Sequence, residues 1–199
     1  IAVLLFLLLV RVPVAFAMFL IGFLGIRQLN GFDAAKSLLA SETFTLASSP
    51  ELIVVPLFIL MGNVASVTGM SRKLYDAAYA MIGQIRGGLA SATVLACGGF
   101  AALSGSSVAS ALTMGKVSLV QMDRFNYDPR LATGVVAAGG TLGILIPPST
   151  GFVIYAILTE QSIGRLFLAG VLPGFLLLTM FVLTITILCW LKPEYGPPG

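Results

Sequence analysis

Uncharged runs of membrane length alternate along this chain with short polar connections, and the breaks inside those runs carry most of the information. Ile1 to Ile26 is apolar except at Arg11-Val12-Pro13, which predicts a span with a kink or a snorkelling arginine. Arg27 to Pro50 is mixed, and Phe32, Ala35, Leu38, Leu39 and Phe44 fall on one face of a short interfacial helix. Leu52 to Ser71 is free of charge and predicts a crossing; Asn63 inside it reads as an interhelical hydrogen-bonding residue. Ser71 to Arg86 predicts an amphipathic surface helix. The last span is Leu166 to Leu191, closed at the interface by Trp190 and Lys192. The polar, turn-rich Lys192-Pro-Glu-Tyr-Gly-Pro-Pro-Gly199 after it reads as the start of a linker.

Between these lie two uncharged runs of 29 residues each, Gly87–Gly115 and Leu131–Thr159. One helix of 29 residues extends about 44 Å. That exceeds a hydrocarbon core of roughly 30 Å, while two full crossings need about 40 residues. For 87–115 the length fits two half-helices of about 14 residues, reaching the midplane and returning. Leu103-Ser104-Gly105-Ser106-Ser107 is a good turn and a poor helix interior. Twenty of the 29 residues are Gly, Ala, Ser or Thr, which lets backbones approach closely. In 131–159 the interruption is Gly139-Gly-Thr-Leu-Gly-Ile-Leu-Ile-Pro-Pro-Ser149. Pro147 and Pro148 donate no N–H, and each pushes its predecessor out of the α region. Freed carbonyls at membrane depth survive only where protein, a cavity or an ion satisfies them. The expectation is a re-entrant hairpin over 87–115 and a broken helix over 131–159.

The placement of charge supports the hairpin. Arg72, Lys73 and Arg86 precede it and Lys116, Arg124 and Arg130 follow it, six of the chain's eleven basic residues. The positive-inside rule then puts both ends on the cytoplasmic side. Composition agrees with a membrane protein: 58% hydrophobic and 10% charged, against roughly 25% charged in soluble domains. There is no histidine, which removes Ser-His and Cys-His catalysis and the commonest metal ligand. Cys97 and Cys189 read as small packing residues, and nothing suggests nucleic acid as a partner.

Two non-helical elements at membrane depth are therefore the candidate chemistry. Half-helix N-termini suit a carboxylate. Unwound carbonyls and hydroxyls suit a hard cation such as Na⁺. Ser104, Ser106 and Ser107 offer hydroxyls from the hairpin, and Thr141, Ser149 and Thr150 from the break. The carbonyls of Gly140, Gly143 and Pro147 are the natural main-chain ligands. The plainer readings are a tight turn and a packing kink. No acidic residue lies within 52–71, 87–115, 131–159 or 166–191. Proton coupling ordinarily uses a buried titratable group, so Na⁺ coupling is the expectation.

The runs PLFILMGNVASVTG (56–69), SATVLACGGFAALSGSSVASALTMGKV (91–117), GVVAAGGTLGILIPPS (134–149) and LTEQSIGRLFLAGVLPG (158–174) resemble the large (M) membrane subunit of tripartite ATP-independent periplasmic (TRAP) transporters. The likeness covers nearly the whole chain. It implies an all-α membrane protein of the bacterial inner membrane, one repeat of an inverted-repeat elevator transporter. It further implies Na⁺-driven import of an organic acid such as a C4-dicarboxylate or sialic acid, with no cofactor beyond Na⁺. The implied partners are a small (Q) membrane subunit, a periplasmic substrate-binding protein (P) and, because the family's subunit is about twice this length, a C-terminal half of the large subunit. In that frame residues 1–86 are scaffold helices with an arm helix, 87–160 transport elements, and 161–199 a closing helix and linker. The Na⁺ site would draw on Ser104, Ser106, Ser107, Gly140, Thr141, Gly143 and Pro147, and the substrate pocket on Ser106, Ser107, Ser149 and Thr150. Other elevator carriers, such as divalent-anion/Na⁺ symporters or arsenite-type permeases, share the broad architecture. A serine hydrolase built on Ser104-Gly105-Ser106 would lack a base, and an assembly scaffold would tolerate substitution of both breaks.

Overall fold

The computed structural model describes residues 2–48 and 50–198. Ile1, where the first apolar run begins, Ser49 within the mixed segment, and Gly199 lie outside the described residues. Those described form helices and connections with no strand, and the chain divides into two compact units, Ile1–Leu52 and Ile53–Gly199. The boundary drawn from the sequence at residue 86 falls inside the second.

In the first unit the expected single span is two helices, α1 (Ala2–Leu9) and α2 (Val14–Asn30). The interruption falls where Arg11 takes a positive φ of 65° and Pro13 opens α2. The mixed segment is one helix, α3 (Phe32–Ala47), turned back against α2 at Gly31, whose φ is 88°. Phe23 and Phe32 meet edge to face with centroids 6.2 Å apart, and Arg27 lies over the Phe32 ring. Of the five residues expected on one face of α3, only Ala35 is buried.

The second unit is built around α6 (Gly88–Ser104), thirteen of whose seventeen residues are buried. Ala, Gly, Ser and Thr dominate it, so α5 (Met70–Ile82), α7 (Ser107–Arg124), α8 (Pro129–Leu145) and α10 (Ile163–Leu191) all pack closely on it. A β-carbon on Gly139 of α8 would lie 2.9 Å from Cys97 Sγ, and one on Gly98 2.5 Å from a Leu178 methyl of α10.

Two expectations change here and two stand. The crossing expected over 52–71 is α4 (Val54–Val67), bent by 66° from α5 at Thr68-Gly69, where Gly69 has a φ of 73°. As expected of an amphipathic surface helix, α5 buries Ser71, Tyr75 and Ala78 against α6 and α7 and leaves Arg72, Lys73 and Asp76 exposed. The hairpin is also longer than 87–115: α7 continues through Lys116 to Arg124, giving arms of 17 and 18 residues, about 26 and 27 Å. A charged side chain on one helix face does not interrupt the backbone ladder, so the end of the uncharged run was not the end of the helix. The broken helix stands as expected, with α8 ending at Leu145, an irregular Ile146–Ser149, and α9 over Thr150–Thr159. Pro129–Thr159 and α10 are long and apolar enough to cross a membrane, and the bent pair α4–α5 adds a third such stretch.

At the base of the hairpin the chain after α10 folds back as a strap. Gly87 N–H donates to the Gly196 carbonyl at 2.9 Å, and Asp128 N–H to the Tyr195 carbonyl at 3.1 Å. The Leu89 N–H donates to the Tyr127 hydroxyl at 3.3 Å. The start of α6, the α7–α8 turn and the strap are thereby tied together at one end of the bundle.

Candidate functional site

The opposite end of the hairpin meets the break in α8–α9. Gly105 takes a φ of 59°, which closes the two-residue turn between α6 and α7 and leaves its carbonyl free to leave the helix. That carbonyl accepts two hydrogen bonds from Thr150, one from the backbone N–H at 3.3 Å and one from the hydroxyl at 3.0 Å. A β-carbon on Gly105 would stand 2.6 Å from the Pro148 oxygen. One on Gly143 would stand 2.7 Å from the Ser106 carbonyl carbon and oxygen, and one on Gly140 2.7 Å from Ala111 Cβ. Missing side chains on α8 thus admit the hairpin backbone. Two helix N-termini (α7, α9) and two C-termini (α6, α8) converge within this contact, so unpaired N–H and C=O groups of both signs lie side by side.

The residues expected from the sequence divide into those the junction gathers and one it does not. Ser104 is buried at the end of α6 and shares a 3.0 Å hydrogen bond with Ser110. Ser106 is the N-cap of α7, its hydroxyl accepting from Ala109 N–H at 3.4 Å, and Ser107 is the first residue of that helix. Gly140 and Gly143 form the α8 face against the tip, and Pro147, joined to Pro148 by a cis peptide, lies in the irregular link. Ser149 sits at the N-cap position of α9, fully buried, with no hydrogen-bond partner for its hydroxyl. Thr141 stands apart. It is exposed on the other side of α8 and donates to the Ala138 carbonyl at 2.6 Å, because one residue along a helix turns a side chain by about 100°. Among the described residues no group of three or more His, Cys, Asp or Glu side chains gathers. The donors that do gather are neutral oxygens.

One feature of the site was not read from the sequence. A cleft of about 580 Å³ opens beside the tip, between α4 and α7. From α4 it is lined by Gly62, Asn63 and Ser66; from α7 by Ala109, Leu112, Thr113 and Lys116. Ser104, Ser106 and Thr150 form the wall shared with the junction. Gly62 brings the helices together, since a β-carbon there would meet Ser104 Cα at 3.0 Å. The i, i+3, i+4, i+7 spacing of residues 109, 112, 113 and 116 would have flagged this face, had α7 been carried past Lys116.

The chain as a whole is similar to known proteins. The family model described as "Tripartite ATP-independent periplasmic transporter, DctM component" matches residues 1–196. The C4-dicarboxylate TRAP transporter large permease protein DctM of Pseudomonas aeruginosa is 45% identical over 160 residues, covering 80% of this chain and 37% of that protein. Its counterpart from Vibrio cholerae is 42% identical over 161 residues, covering 80% and 36%. The isethionate TRAP transporter permease protein DctMQ of Oleidesulfovibrio alaskensis is 37% identical over 173 residues, covering 85% and 26%. The chain thus spans well under half the length of the curated relatives it matches, in keeping with the expected N-terminal half. The match favours the TRAP reading over the other elevator carriers and sets the chain among permeases of the inner membrane, not enzymes. The chain belongs to the DctM family of TRAP transporter large permeases.

Proposed function

We propose that this chain forms the first of two repeats in a Na⁺-coupled importer of organic acids, and that the hairpin and broken helix move as one elevator-type body carrying half of the ion and substrate site. The observation that carries this reading is the seating of the hairpin tip on the break, where Thr150 holds the Gly105 carbonyl and the preceding Ser149 hydroxyl is buried without a hydrogen-bond partner. A buried hydroxyl with no partner costs roughly 1–3 kcal/mol, and a hard cation held by neutral oxygens relieves that cost. The convergent N-termini of α7 and α9 offer N–H groups to a carboxylate, and the C4-dicarboxylate names of two relatives make a short diacid the first substrate to test. The partners proposed are a second repeat completing the pocket, a small membrane subunit and a periplasmic binding protein that delivers the acid.

The test is uptake by the full-length permease, reconstituted with those partners, under an imposed Na⁺ gradient. Ser149→Ala and Ser106→Ala are expected to raise the Na⁺ concentration for half-maximal uptake about tenfold or more, equivalent to about 1.4 kcal/mol, with the protein still folded. Unchanged Na⁺ dependence in both variants, or uptake driven by a proton gradient without Na⁺, defeats the proposal.

A further inference from the structure

The cleft between α4 and α7 carries the inference furthest. Its α7 wall bears one cation, Lys116, one turn beyond Thr113, while Asn63 and Ser66 face across from α4. No acidic side chain lines it. Lys116 is the tenth of eighteen residues of α7 and exposed, so its charge is neither capping a helix end nor buried in an ion pair. A lysine that lines a cleft holding no acidic side chain leaves its charge free for an anionic ligand there. The walls add neutral donors and acceptors that orient an anion without neutralising the lysine.

From this we infer that Lys116 is the specificity-determining charge for the second carboxylate of a dicarboxylate whose first carboxylate lies at the hairpin tip. The inference rests on the carboxylate-import reading above. Ser106, the tip residue that lines the same cleft, lies ten residues before Lys116, about 15 Å along the helix. Helical side chains lean toward the N-terminus, so an extended lysine reaches back along the cleft and shortens that gap toward the length of a short diacid. A monoanion held at the tip leaves the lysine without a partner; a diacid engages both ends. Lysine acts as a point charge on a flexible stem, so arginine preserves the attraction and glutamine removes it.

Two measurements test this on the full-length permease with its partners. In the first, Thr113→Cys is labelled with a membrane-impermeant thiol reagent in the presence of succinate or lactate. Succinate is expected to slow labelling when residue 116 is Lys or Arg, to lose about ten- to a hundredfold of its potency in Lys116→Gln, and to protect better than lactate. In the second, Na⁺-driven uptake compares the two acids: Lys116→Gln is expected to lower the preference for succinate over lactate about tenfold while leaving Na⁺ dependence unchanged. If the wild type takes up neither acid, the import reading falls and this inference with it. If succinate uptake persists and Lys116→Gln changes neither protection nor preference, the assignment of Lys116 alone is overturned.

Discussion

Gly105 and Gly134 make opposite cases for what a missing side chain does. Gly105 holds a left-handed φ of 59° with the Pro148 oxygen 2.6 Å from where a β-carbon would stand. An L side chain there costs about 1–2 kcal/mol in backbone strain alone, and the contact would also push the tip off the break. Gly134, in α8, meets nothing within 4 Å, so alanine there is expected to stabilise by about 1 kcal/mol through helix propensity. Thermal melts of the two alanine variants should therefore shift in opposite directions, Gly105→Ala down and Gly134→Ala up. Equal shifts would mean the tip–break contact is slack. At the other end of the hairpin, burial pushes the Tyr127 phenol up to about 12, only partly offset by the Leu89 N–H that donates to it. A raised phenol contributes stability that is present below its ordinary value of 10.0 and is lost as the pH rises through about 12. Tyr127→Phe gives up that hydrogen bond, roughly 1 kcal/mol at neutral pH, but has no phenol to ionise. Its deficit in melting temperature against the wild type should shrink between pH 10 and 12; a constant deficit would show the phenol to be freely solvated.

At the scale of elements, what was legible in the sequence is what backbone chemistry dictates locally. Pro147-Pro148 removes two donors and forbids helix on its N-terminal side, so the break between α8 and α9 is written into two residues. Gly105 among serines marks the turn for the same kind of reason. Charge, by contrast, was a poor guide to helix ends. Taking Lys116 as the boundary of the hairpin shortened its second arm by nine residues and hid the cleft face of α7. Tertiary packing was only half visible: the periodicity of α5 predicts a surface helix with one apolar face, but not the bend at Gly69 that seats Tyr75 and Ala78 of that face against α6. The hydroxyl of Thr141 is legible in the sequence but its direction is not: one residue of helical rotation, about 100°, separates it from Gly140 on the face presented to the hairpin.

Across the second unit, the arrangement of ends makes a statement about sidedness. The start of α6, the α7–α8 turn and the strap after α10 are hydrogen-bonded together, so Arg86, Arg124, Arg130 and Lys192 gather at one end. The turn between α9 and α10 carries only Glu160 and, just inside α10, Arg165. The positive-inside rule assigns the first end to the cytoplasm. The long arms then fit a site near the midplane if the last turns of α7, with Asp123 and Arg124, stand outside the hydrocarbon. From Lys116 to the tip is about 15 Å, close to half of a roughly 30 Å core. Single cysteines at Arg86, Asn126 and Glu194 should therefore react with an impermeant maleimide from the cytoplasmic face alone, and one at Gln161 from the periplasmic face alone. Reaction of the cysteines at 86 and 126 from opposite faces would mean that the hairpin crosses the membrane, and a re-entrant site at Gly105–Thr150 could not then stand.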